Sequence, residues 1–248
     1  MEPLIQLKNV SKVYGGGPAA LSAWGRFKRL GGGAAPGLAV TALRHVAMEV
    51  GRGEFTAIAG PSGSGKSTLL NIIGTIDSPT RGEVFYEGRR VSSLSQDQLA
   101  DFRLRSLGFV FQAFNLLPVL TALENVEYVL ALQNVPPAER LERAHEALKW
   151  VGIEGQAHRR PDLLSGGQQQ RVAVARAIVH RPMVVLADEP TANLDSKTAE
   201  ALLDLMAKLN EDHGVTFLFS SHDPRVLSRA RRVLSIHDGR LGDADKAR

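Results

Sequence analysis

The 248-residue chain contains no cysteine, which excludes a disulfide framework, a thiolate zinc or iron–sulfur site and a catalytic thiol. Long apolar runs are also lacking. Uninterrupted stretches such as Met183–Ala187 are far too short to cross a bilayer. The opening residues Met1-Glu-Pro-Leu-Ile-Gln lack a basic region followed by an apolar one, so no signal peptide is expected. Charge is not one-sided, with 30 Lys and Arg against 26 Asp and Glu, and this excludes disorder as the main state. The net charge of +4 permits an anionic partner without demanding one. There is no internal repeat. What the chain does have is 44% hydrophobic residues, enough for a real core in one large domain. A soluble, cytoplasmic protein is expected.

Short continuous apolar runs at Phe55–Ala59, Phe109–Phe111, Val184–Ala187 and Val215–Phe219 predict strands of a parallel sheet covered on both faces. Helical patterns such as Ala138–Val151 and Ala199–Asn210 separate them, which predicts an α/β fold. Leu4–Val10 and Val40–Val50 alternate more and predict an antiparallel edge. The stretch from Gly15 to Val40 stands apart, with two glycine triplets around Leu21–Leu30. Leu21, Trp24, Phe27 and Leu30 recur every three residues beside Arg26, Lys28 and Arg29. That reads either as a flexible insertion or as a short basic amphipathic helix resting on a membrane or a partner.

Gly60-Pro61-Ser62-Gly63-Ser64-Gly65-Lys66-Ser67 follows one predicted strand and precedes the helical run Thr68–Ile73. It fits the phosphate-binding loop in its required strand–loop–helix context. Glycines let backbone N–H groups turn inward around phosphate oxygens, and the helix adds its positive N-terminal end. Lys66 would neutralise the β- and γ-phosphates, and the Ser67 hydroxyl would ligate Mg²⁺. Met183–Glu189 is an apolar strand ending in two acids, delivered to the crevice where open α/β sheets bind ligands. Asp188 suits Mg²⁺ held through water, and Glu189 suits acceptance of a proton from attacking water. Taken alone, the acid pair is equally a solvated turn.

Leu164-Ser165-Gly166-Gly167-Gln168, followed by Gln-Gln-Arg-Val-Ala, would by itself be a helix N-cap. The full string resembles the signature of ATP-binding-cassette ATPases. Gln112, Ala192–Asp195 and Ser220–Asp223 match that family's Gln loop, D-loop and switch-histidine region. The resemblance spans Leu4 to about Leu241 and implies a cassette of the phosphate-loop NTPase class. Its core would take about residues 1–112 and 164–241, with a helical subdomain at about 113–163. It further implies a head-to-tail homodimer around two ATP, in which Leu164, Ser165, Gly166, Gly167 and Gln168 contact ATP held by Lys66 and Thr68 of the opposite subunit. Glu189 would be the general base, His222 would orient water and γ-phosphate, and Gln112 would complete the Mg²⁺ shell. Asp195 would serve the D-loop, and Tyr14 would stack on adenine. Relatives usually pass from that tyrosine to the next strand in a short turn, whereas here the Gly15–Val40 stretch intervenes and Trp24 or Phe27 competes for the role.

Asn71–Thr80, Leu107–Pro118 and Leu120–Asn125 look like the lipoprotein-releasing and macrolide-exporter group. That likeness implies a separate membrane subunit with a large periplasmic domain, peripheral attachment to the cytoplasmic side of the inner membrane, and a coupling groove at Phe114, Leu116 and Leu117. The competing view of those three is subdomain core. The other classes weighed are a soluble cassette ATPase acting on nucleic acid or ribosomes and one serving a cytosolic scaffold. About a hundred residues separate Lys66 from Ser165 without sustained heptads, and the basic clusters Arg159–Arg160 and Arg229–Arg232 are short, so nucleic acid is not expected. Deleting Ala19–Leu30 tests the insertion. If that stretch is only flexible, ATP hydrolysis and coupling to a membrane partner stay unchanged in a coupled ATPase assay.

Overall fold

Strands buried on both faces organise the molecule, a computed structural model describing residues 2–15 and 39–242. Residues 16–38, with the stretch around Trp24 and Phe27, lie outside the described residues. The alternating edge forms as expected: β1 (Ile5–Tyr14) pairs antiparallel with β2 (Val40–Val50) and with β4 (Arg81–Tyr86), which carries the short β5 (Arg89–Arg90). The second sheet contains β3 (Phe55–Ala59), β6 (Leu107–Val110), β7 (Val184–Asp188), β8 (Phe217–Ser221), β9 (Arg232–His237) and β10 (Arg240–Gly242), in the order β10-β9-β3-β8-β7-β6. All its pairings are parallel except β9 with β10.

Alternation along these strands divides the core in two. Phe55, Ala57, Val185, Ala187, Phe217 and Phe219 face one cluster, shared with α3 (Ala122–Leu132), α4 (Pro137–Trp150), α5 (Gly166–Ile178) and α6 (Ser196–His213). Ile58, Val184, Leu186 and Leu218 face the other, filled by β1, β2, β4 and α1 (Lys66–Ile73). With no solvent face, β3, β7 and β8 read largely as apolar runs. Phe55 anchors the first cluster, its ring centroid 5.6 Å from that of Phe217 and 4.9 Å from that of Phe219. The remaining α-helices among the described residues are α2 (Gln96–Ser106) and the short α7 (Pro224–Leu227).

Several predicted boundaries are corrected. β8 runs from Phe217 to Ser221, two residues later than the apolar run Val215–Phe219. Gly214 is left-handed at φ 66° and ends α6, and the Val215 carbonyl accepts from Asn210 Nδ2 at 2.8 Å. The far end extends because the hydroxyls of Ser220 and Ser221, both fully buried, find polar partners. Likewise Phe111 lies beyond β6, whose ladder ends at Val110 opposite Ala187. α6 outruns its predicted Ala199–Asn210 at both ends, started by Asp195 as N-cap and stopped by Gly214.

Just after α5, His180 is buried, with Nε2 3.1 Å from the Leu107 carbonyl oxygen. Burial pushes its imidazole down to about 4, so the folded state holds the neutral ring. The unfolded chain takes up the proton first as pH falls through the ordinary value near 6.5. The stabilisation from the neutral ring is complete above that value and is lost as pH drops towards 4. Urea midpoints measured at pH 7, 5.5 and 4.5 should therefore fall less steeply for His180→Gln than for the unaltered protein.

Candidate active site

Four parallel strands end at one edge, and their C-terminal residues supply the site, as the topology of open α/β sheets requires. Out of β3 comes the loop Gly60–Gly65. Gly65 sits at φ 108°, a backbone setting open to glycine. A Cβ on Gly60 would lie 2.3 Å from the Ile236 carbonyl oxygen, so only glycine fits against β9. α1 then starts at Lys66 and aims its N-terminal amides at the loop. Lys66 Nζ donates to the carbonyls of Gly60 (2.8 Å) and Pro61 (3.0 Å), and the side chain is only 7% exposed. Ser64 Oγ is buried without a partner among the described residues.

β7 brings the acids. Asp188 Oδ1 accepts from Ser67 Oγ at 3.1 Å and from Ser220 Oγ at 2.5 Å. Glu189 leaves the strand in the left-handed region at φ 47°, and its amide donates to Ser220 Oγ at 3.0 Å. Its Oε1 lies 2.9 Å from His222 Nδ1 and 3.7 Å from Lys66 Nζ. Lys66, Ser67, Asp188, Glu189 and His222, which lie up to 156 positions apart (222 − 66), therefore form one connected polar cluster. Gln112 follows β6 at the same edge, but its exposed side chain makes no hydrogen bond to Ser67 or Asp188; its carbonyl accepts from Asn193 Nδ2 at 3.0 Å.

Tyr14 is half-buried beside the first turn of α1. Its hydroxyl donates to Asp77 Oδ2 at 2.8 Å, and Lys12 Nζ lies 4.9 Å from its ring centroid. Burial, and then the Asp77 hydrogen bond, push the phenol up to about 12; Thr68 acts in the opposite sense.

Ser165 caps α5 in a reciprocal box: Gln168 N donates to Ser165 Oγ (3.3 Å), and Ser165 N donates to Gln168 Oε1 (2.9 Å). Leu164 is buried behind it. Gly166 and Gly167 form the first turn; a Cβ on Gly167 would lie 2.4 Å from Thr198 Cγ2, so α5 and α6 meet closely there. Asp195 caps α6 through Thr198 N at 3.1 Å, and the Thr198 hydrogen bonds hold its exposed carboxyl below the usual range. Among the described residues, no hydrogen bond joins Ser165–Gln168 to Gly60–Ser67.

Phe114, Leu116 and Leu117 do not share one environment. Phe114 and Asn115 are both left-handed, and their carbonyls accept from Arg176 of α5 at 2.9 and 2.6 Å. Leu116 packs against the core, and Leu117 is 39% exposed. A cleft of about 390 Å³ beside them is lined by Arg103, Phe109, Asn115, Val129, Arg176 and His180, among others, but by none of the three. Gln170 escapes a reading of the sequence, where it is one more glutamine after the signature. In the fold it is wholly buried on α5, and its Nε2 donates to the Pro190 carbonyl (2.7 Å) and weakly to that of Phe111 (3.4 Å).

The pattern of the ABC transporter family matches residues 43–192. The chain belongs to that family. An uncharacterised ABC transporter ATP-binding protein of Thermotoga maritima is 52% identical over 202 residues, covering 82% of this chain and 86% of that protein. The Methanocaldococcus jannaschii protein MJ0796, also an uncharacterised ABC transporter ATP-binding protein, is 43% identical, covering 99% of this chain and 98% of its own. The dimeric post-hydrolysis structure of the MJ0796 cassette, bound to ADP and Pi, superposes with a TM-score of 0.82 over 98% of this chain and 99% of that one. Cassette cbiO1 from Clostridium perfringens, part of the transporter complex cbiONQ, reaches 0.81 at 26% identity, covering 98% and 88%. The fold is thus that of an ABC cassette, and the chain is an ABC ATPase, the ATP-binding subunit of an ABC transporter. Since Lys66 is the cation at the centre of the cluster, Lys66→Ala should lower ATP affinity by about tenfold or more in equilibrium titration.

Proposed function

We propose that this cassette hydrolyses ATP between two copies of itself and drives a separate membrane subunit of the lipoprotein-releasing and macrolide-exporter type. The observation that carries the chemistry is the placement of Glu189 Oε1 between Lys66 Nζ (3.7 Å) and His222 Nδ1 (2.9 Å). Lys66 and the loop amides of Gly60–Gly65 would bind the phosphates, with Tyr14 against adenine. Glu189 would take the proton of the attacking water, and His222 would orient Glu189 and the γ-phosphate. Ser165 and Gly167 of the partner subunit would close the site, with Asp195 at the same face. The dimeric MJ0796 cassette supports this arrangement.

The oxygen donors Ser67 and Asp188, 3.1 Å apart, suit Mg²⁺, which prefers one or two protein oxygens plus substrate phosphates. Ser67, Asp188 and, from its place after β6, Gln112 would hold the ion, which when bound neutralises charge on the phosphates.

No helix among the described residues is long and apolar enough to cross a membrane. The membrane part of the transporter would be a separate chain, meeting the cassette on its cytoplasmic side. Residues 113–163 would act as the helical subdomain that receives it, at Phe114 and Leu117 and in the adjoining cleft of Arg103 and Arg176. Glu189→Gln should slow hydrolysis by ~10²–10⁴-fold while ATP still binds, and should trap the ATP-bound dimer. Purified from membranes with ATP, that variant should bring down a membrane protein with a few spans and a large extracytoplasmic domain. Recovery of soluble scaffold proteins or ribosomes alone would instead favour a cytosolic cassette.

A further inference from the structure

Ser220 is a polar residue inside a strand that is otherwise apolar up to that point, and it is wholly buried. In the parallel pairing of β7 with β8 it lies opposite Asp188. Its Oγ is 2.5 Å from Asp188 Oδ1 and 3.0 Å from the amide nitrogen of Glu189. A serine hydroxyl has one proton to give, so it donates to the carboxylate and accepts from the amide. Both functions are used, and both go to the acid pair. The neighbouring Ser221 is equally buried but acts locally, accepting from Asp223 N at 3.0 Å to shape the turn that follows.

Glu189 occupies the left-handed region at φ 47°, which disfavours a residue bearing a side chain unless its surroundings enforce it. The amide that enters that turn is the one Ser220 holds. We propose that Ser220 is a positioning residue for hydrolysis. It pins one oxygen of Asp188 and anchors the turn that sends the Glu189 carboxylate towards Lys66 and His222. This rests on the roles given to Asp188 and Glu189 above. It adds a requirement for a hydroxyl two residues ahead of His222.

The test uses the full chain with Ser220→Val, Ser220→Thr and Ser220→Ala. Threonine and valine have nearly the same shape, so the pair differs in the hydroxyl alone. The readouts are kcat and KM for ATP, ATP affinity in EDTA and the thermal midpoint. Hydrogen bonds to charged groups carry enough free energy for about a tenfold effect. Valine and alanine should lower kcat about tenfold or more, with KM and metal-free ATP affinity held within about twofold, and threonine should recover most of what valine loses. The role is overturned if valine and alanine hydrolyse at the unaltered rate, or if threonine loses as much as valine, since packing would then be the cause. It is overturned too if KM rises and the thermal midpoint drops in step with kcat. Should the two bulkier variants fail to fold, alanine decides alone, because it adds no volume. An unaltered protein without ATPase activity would overturn the reading of Asp188 and Glu189 as well, whereas an active one with insensitive variants overturns only the role of Ser220.

Discussion

The register between β7 and β8 is the constraint on which the rest depends. Ala187 lies opposite Phe219 and Asp188 opposite Ser220. Because side chains alternate along a strand, a slip by one residue would exchange the two faces. Phe217 and Phe219 would leave their aromatic contact with Phe55, and Leu218 would leave the core built on β1, β2 and β4. The same slip would part the acids from Ser220 and from His222. Packing of two unequal cores thus sets the geometry of a polar cluster that contributes little to either core.

Within that cluster the charges are ordered rather than merely gathered. Lys66 is held by two loop carbonyls before it meets any carboxylate, so its position is a property of the loop. Glu189 stands between this cation and an imidazole, and Asp188 is directed away, towards the hydroxyls of Ser67 and Ser220. The left-handed turn at Glu189 keeps the adjacent acids in one cluster while they face different neighbours. In an extended strand, successive side chains would simply have pointed to opposite faces.

Much of this is legible in the amino-acid sequence. β3 is readable to the residue, since a buried parallel strand leaves a continuous apolar run, and the loop Gly60–Ser67 carries its mechanism in its residue types. Asp188 and Glu189 are readable only beside the phosphate loop, because an acid pair after a strand is by itself equally a solvated turn. Less legible is whatever depends on pairing across space. The apolar run misplaces β8, because Ser220 and Ser221 look like a strand's end until their partners are known. Gln112 and His222 mean little singly and gain meaning from their place after successive strands. Grouping Phe114, Leu116 and Leu117 by proximity along the chain conceals that Leu116 packs inward while Leu117 stays partly exposed.

Helix α5 carries the signature at its N-terminus, yet its side chains grip segments well away from that end. Gln170 reaches the carbonyls of Phe111 and Pro190, and further along Arg176 reaches those of Phe114 and Asn115. The helix is thereby riveted to the segment after β6 at two points and to the segment after β7 at a third. Moving either segment without the helix would break these bonds, and the wholly buried Gln170 amide would lose a partner at a cost of order 1–3 kcal/mol. Arg176 thus ties Phe114 and Asn115 to the same helix that Ser165 caps about three turns away, which links the two ends of α5 through one rigid element.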